Sequence, residues 1–101
     1  MNVRFLDVAS REFLAACRYY ESQQAGLGDR LADELDRAVR WLGNNPHALA
    51  ARRGRYRRLN LHIFPYYIAY AVRDQTLWIV AVAHARRKPE YWIKRTKEID
   101  R

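Results

Sequence analysis

The sequence predicts an α+β fold in which an antiparallel sheet packs against a helical hairpin, with elements in the order β-α-α-β-β-β. Three observations lead there. Apolar residues recur at helical spacing through the first half of the chain, a glycine-rich break divides that half in two, and beyond residue 54 the apolar period changes to two. Elements of this kind have one apolar face each and must bury it against another layer. The 101 residues suit one domain spanning 1–101, because single cores are commonly built from about 100–150 residues.

Taken in order, Val3–Asp7 is a short apolar run and reads as a first strand. It is expected as an added edge of the sheet or a pairing partner. Ala9, Phe13, Ala16, Cys17 and Tyr20 then form a helical stripe, opposite a polar face of Arg11, Glu12, Arg18 and Glu21. Asp7 or Ser10 is the expected cap, since their oxygens accept from the free amides of a first turn. Ala25-Gly26-Leu27-Gly28 makes the reversal. A second stripe, Leu31, Leu35, Ala38, Val39 and Leu42, follows. It carries Asp29 in its first turn and stops at Gly43-Asn44-Asn45-Pro46. So short a link sets the two helices antiparallel.

After a loop over His47–Gly54, the stretch Arg55–Ile63 alternates. Arg57, Leu59, Leu61 and Ile63 share one face, and Tyr56, Arg58, Asn60 and His62 the other. Tyr66–Arg73 and Leu77–His84 are strongly β-prone, with Arg73–Thr76 as the hairpin turn and Pro65 at a strand start. The expected core sets Leu31, Leu35, Val39 and Leu42 against Ile68, Tyr70, Ile79 and Val80 or their immediate strand neighbours. Pro89 opens a polar terminal segment anchored by Tyr91, Trp92 and Ile93, read as a helical turn or a tail.

Composition narrows the function classes. Half the residues are hydrophobic and 13% aromatic, which excludes a disordered chain. No apolar run approaches the roughly 20 residues that span a bilayer, and no signal peptide is visible, so the expected compartment is the cytoplasm. The single Cys17 excludes an internal disulfide and a Cys-rich zinc site, and neither a metal nor a cofactor is expected. The net charge of +8 is uneven. Residues 1–45 hold 6 Arg/Lys against 7 Asp/Glu, and residues 46–101 hold 13 against 4. That field calls for an anionic partner, either nucleic acid or an acidic protein.

The element order, together with the stretch from Arg58 to Arg87, resembles the RelE/ParE toxin superfamily, more on its ParE side. The matching pieces are Leu59, Phe64-Pro65-Tyr66, Ile68-Ala69-Tyr70 and Ala81-Val82-Ala83-His84-Ala85-Arg86-Arg87, with Tyr19-Tyr20-Glu21 and Asn45-Pro46 earlier. The resemblance covers nearly the whole chain. It implies the growth-inhibiting toxin of a bacterial type II toxin–antitoxin system, acting in a stress response and held in a hetero-oligomer by a cognate acidic antitoxin. ParE-like members poison DNA gyrase, whereas RelE-like members cleave messenger RNA in the ribosome. Fold alone does not choose between them.

A metal-independent endoribonuclease needs a base for the 2′-hydroxyl, cations for the phosphorane and an acid for the leaving oxygen. The candidates are His84 as base or acid, Arg58 and Arg87 as phosphate holders, and Tyr91 as proton donor or base-stacking ring. Where RelE-like nucleases place a basic residue at a strand start, this chain has Tyr66 and Tyr67. Where they place an arginine after the last strand, it has Ala85. These departures favour the gyrase reading, in which Arg58, His84, Arg86 and Arg87 are contacts and nothing is catalysed. A basic nucleic-acid-binding module is the remaining class, but no helix carries a clustered basic face and no RNP-like aromatic motif is present. Beside these stand plainer roles: His84 as a strand-end hydrogen-bonder, Arg52–Arg58 as a solvated basic loop, and Tyr66, Tyr67, Tyr70 and Trp78 as core and sheet surface. Cys17 reads as packing. Trp41 and Trp92 cover either the core edge or an antitoxin groove.

Overall fold

The computed structural model describes residues 1–53 and 55–100. Gly54, which closes the expected 47–54 loop, lies outside the described residues, as does Arg101. The elements are β1 (Asn2–Phe5), α1 (Asp7–Gln23), α2 (Leu27–Asn44), β2 (Arg57–Asn60), β3 (Tyr66–Arg73), β4 (Thr76–His84) and a terminal 3-10 helix (Ile93–Glu98). The strands form one sheet in the order β1-β4-β3-β2. β3 and β4 take the places expected of them to within a residue.

The sheet is mixed where an antiparallel one was expected. β1 lies parallel to β4, from Asn2 opposite Thr76 to Phe5 opposite Ile79. Parallel neighbours need a long connection, and two helices and two strands separate these. The Leu6 amide continues this ladder by donating to the Ile79 carbonyl at 3.0 Å. The helix therefore begins directly afterwards, with Leu6 as its N-cap and no side-chain cap bond. Asp7 falls in the first turn and Ser10 inside the helix, so neither caps it.

The reversal between α1 and α2 depends on two glycines. Gly26 has φ 92°, a left-handed conformation that costs other residues strain. At Gly28 a Cβ would sit 2.6 Å from the Cys17 carbonyl oxygen, so the helices cross here only because none is present. The Glu21 carboxylate accepts from both glycine amides and closes the turn.

Leu31, Leu35 and Leu42 are fully buried against Ile68, Tyr70, Leu77, Ile79 and Val82. Val39 is only half-buried, and Val80 departs from the expected core. Ala69 pairs with Ala81 but Tyr70 pairs with Ile79, which leaves Val80 as the extra residue of a β-bulge. A bulge breaks the alternation of faces, and Val80 turns to the side away from the helices.

That outer face is not bare. Tyr56, Tyr67, Ala69, Val80, Ala81 and Ala83 form a second cluster around Trp92, which is 1% exposed. The Trp92 indole donates to the Tyr67 hydroxyl at 2.9 Å. Residues 91–99 thus cross the sheet as a strap, tied at its ends by Glu90 to Arg53 and by Asp100 to Arg73. Trp92 serves the core, whereas Trp41 is 42% exposed.

β2 is shorter than the alternation of Arg55–Ile63 predicts, and Glu34 is the reason. This α2 carboxylate, 8% exposed, accepts from the amides of His62 (2.8 Å), Ile63 (3.2 Å) and Phe64 (3.4 Å). Those amides curl around Glu34 and are lost to the ladder. Leu59 and Leu61 still reach the helix-side core, but Ile63 is 62% exposed. In the β3–β4 hairpin, Asp74 and Gln75 both have positive φ, as a two-residue type I′ turn requires.

Candidate functional site

β4 ends at His84, where a tight turn brings its neighbours together. The Ala85 amide donates to the Pro65 carbonyl at 2.8 Å, and the Arg87 amide to the His84 carbonyl at 3.1 Å. The Arg86 amide donates to Nδ1 of His84 at 3.0 Å. That bond assigns Nδ1 as the unprotonated nitrogen and leaves the neutral ring its proton on Nε2. The imidazole stands edge-on to the Tyr66 ring, with centroids 5.0 Å apart. His84, Tyr66, Arg87, Tyr91 and Glu12 share an open cleft of about 200 Å³ at the lip between α1 and the end of β4.

Three of the sequence candidates, His84, Arg87 and Tyr91, therefore meet in one place. The Arg87 guanidinium lies 3.8 Å from the centroid of the Tyr91 ring, stacked on its face. Arg86 is exposed beside it, outside the cleft lining. Arg58 stands elsewhere. It stacks on Tyr67 at 3.7 Å and donates to Asn60 at 2.8 Å, on the outer face of the sheet. Alternation along β2 and β3 sets Arg58 and the Tyr66 cleft on opposite faces of the sheet.

Glu12 is the member that the sequence reading missed. On α1 it looked like part of a solvated polar face, yet its side chain is 16% exposed and fully engaged. Oε1 accepts from the Val82 amide at 3.1 Å and from Arg95 Nη1 at 2.9 Å. Oε2 accepts from the Tyr91 hydroxyl at 2.7 Å and from Arg95 Nη2 at 3.0 Å. Arg95 also donates to the Val80 carbonyl at 3.2 Å. β1 pairs with β4 only as far as Ile79, so these two side chains close the backbone edge that β1 leaves open at the bulge. Burial, then the Glu12 hydrogen bond and charge, push the Tyr91 phenol up to about 12. Burial disfavours the Arg95 charge, but Glu12 outweighs it and holds the guanidinium more firmly protonated than usual.

A second concavity, about 550 Å³, lies between α2 and the loop after β2. Trp41, Ala38, Leu59, Leu61 and Ile63 make it largely apolar, and Arg37 and His62 stand on its wall. Glu34 anchors the loop that forms its far side. Among the described residues no group of three or more His, Cys, Asp and Glu side chains converges, and no helix is long and apolar enough to cross a membrane.

Residues 3–89 match the family model described as ParE toxin of type II toxin-antitoxin system, parDE. No curated protein matches the chain in sequence. Among solved structures, a chain described as "Chromosomal ParDE TA system from P. aeruginosa" is similar with a TM-score of 0.73 and 14% identity. The match covers 85% of this chain and 97% of that one. At such low identity the likeness speaks for the fold, which agrees with the α+β architecture read from the sequence.

Proposed function

The chain belongs to the ParE family of toxins from type II toxin–antitoxin systems, and from that premise we propose that it arrests growth inside the bacterial cell by binding DNA gyrase. The contacts are the arginines at the end of β4, Arg86 and Arg87, with Arg58 and His84 as flanking members. The protein breaks no bond in this reading.

The observation that carries it is the commitment of Tyr91. A general acid must present its proton to the substrate, with a pKa near the working pH. The Tyr91 proton points instead at Glu12, and its pKa has moved away from neutrality. Glu12 is no base either, because all four acceptor positions of its carboxylate are filled. What the cleft offers a partner is the Arg87 guanidinium, with Arg86 exposed beside it. The RNase reading retains one supporting observation, the meeting of His84, Arg87 and Tyr91 in a single cleft.

The cognate antitoxin is an acidic, amphipathic segment whose apolar side occupies the groove beside Trp41 and Ile63. Helix-in-groove binding needs such a trough, and the +8 charge steers an acidic partner to it. The test is growth arrest on induction without antitoxin. Arg86→Ala and Arg87→Ala relieve arrest while Tyr91→Phe does not. The reverse pattern would return the cleft to nuclease chemistry.

A further inference from the structure

Arg87 and Glu12 line the same cleft, carry opposite charges and do not pair. Among the described residues the Arg87 side chain makes no hydrogen bond or ion pair. It is held only by the face of Tyr91, a contact that leaves its in-plane donors free. The Glu12 oxygens are taken up instead by the two-pronged grip of Arg95, the Tyr91 hydroxyl and the Val82 amide. Arg95 belongs to the strap, beyond residue 89 where the family match ends.

We propose that Arg95 is a positioning residue that keeps Glu12 off Arg87, so that Arg87 stays free on the Tyr91 ring to bind an anionic group of the target. This rests on the reading of Arg87 as a target contact. The mechanism is competition for one carboxylate. With Arg95 in place both Glu12 oxygens are saturated, and the fork geometry favours a bidentate guanidinium over any single donor. Without Arg95, two Glu12 acceptor positions open and the nearest uncommitted cation in the cleft is Arg87. The new pair neutralises the contact and draws the guanidinium off the ring. Tyr91 and the Val82 amide hold Glu12 at the site meanwhile, which makes the capture local.

A charge-removal rescue separates this from simple loss of a brace. Arg95→Gln is expected to weaken gyrase inhibition by roughly tenfold, in the range of couplings between neighbouring side chains. Glu12→Gln combined with Arg95→Gln is expected to recover most of that loss, because no carboxylate remains to capture Arg87. Arg95→Lys, which keeps the charge, falls between wild type and Arg95→Gln. A double variant as weak as Arg95→Gln, or weaker, overturns the proposal.

A second readout does not involve the target. In NMR spectra of the free toxin, the Arg87 Nε–H signal is expected to shift and exchange more slowly in Arg95→Gln, and to return in the double variant. An unchanged signal in Arg95→Gln overturns the proposal even if inhibition falls. If Arg87→Ala inhibits gyrase as well as wild type does, the target-contact reading fails by itself, and the NMR comparison still decides whether Arg95 keeps Glu12 off Arg87.

Discussion

Replacing Glu34 with alanine removes the acceptor of three consecutive amides at once, and the structure sets the scale of the cost. The His62 bond at 2.8 Å is short and charge-assisted, a class worth about 1.5–3 kcal/mol. The Ile63 bond at 3.2 Å is weaker, and the Phe64 bond at 3.4 Å weaker still. His62 and Ile63 are exposed, so water replaces much of what their amides lose. Phe64 is 7% exposed, and its amide is left without a partner. The net destabilisation is about 2–3 kcal/mol, with Glu34→Gln costing roughly half because one carbonyl oxygen remains. Urea unfolding measures it directly, and Tm falls by about 4–8 °C for each kcal/mol in a domain of this size. Hydrogen exchange at residues 62–64 speeds up selectively, and antitoxin affinity falls because that loop is one wall of the groove. A Glu34→Ala variant within 0.5 kcal/mol of wild type (about the error expected for a neutral surface change), with unchanged exchange at these amides, would refute the reasoning.

Three further outcomes follow from the packing and the turns. Leu35→Ala at the fully buried centre of α2 removes three carbons, about 2.4 kcal/mol of transfer energy, and a cavity term brings the loss to about 3–4 kcal/mol by denaturant titration. Gln75→Gly relieves a residue held at φ 65° and raises stability by about 1 kcal/mol, read as a higher Tm. The Tyr91 phenol is raised from 10 to about 12, so above pH 10 the unfolded chain gives up this proton while the folded one keeps it. Its contribution is complete below pH 10 and is lost as pH climbs to about 12, and Tyr91→Phe flattens that part of the stability profile.

Legibility followed periodicity. The two helical stripes and the runs of β3 and β4 repeat over several residues, and each repeat points to the same buried face. Features decided by one long-range contact left no such trace. β2 ends early because a carboxylate far away in the chain takes its amides, and nothing local to Leu61–Ile63 announces that. Val80 changes face because of a single unpaired residue in an otherwise regular strand. Glu12 sits at a polar position of α1 and is distinguished only by partners far along the chain, the Val82 amide, Tyr91 and Arg95. The strap has no apolar period, since one tryptophan does most of its anchoring. For the site, the turn around His84 was readable as a strand end followed by cations, and its meeting with Tyr91 follows from closeness in sequence. The placement of Arg58 was not, because it depends on the face that β2 presents.

The most direct test of the gyrase reading is a paired assay of the purified toxin, reading DNA supercoiling by gyrase and cleavage of ribosome-bound message side by side. The expected result is inhibited supercoiling with intact message, and loss of the inhibition in Arg87→Ala. Cleaved message with supercoiling untouched, the cleavage disappearing in His84→Ala, would contradict it.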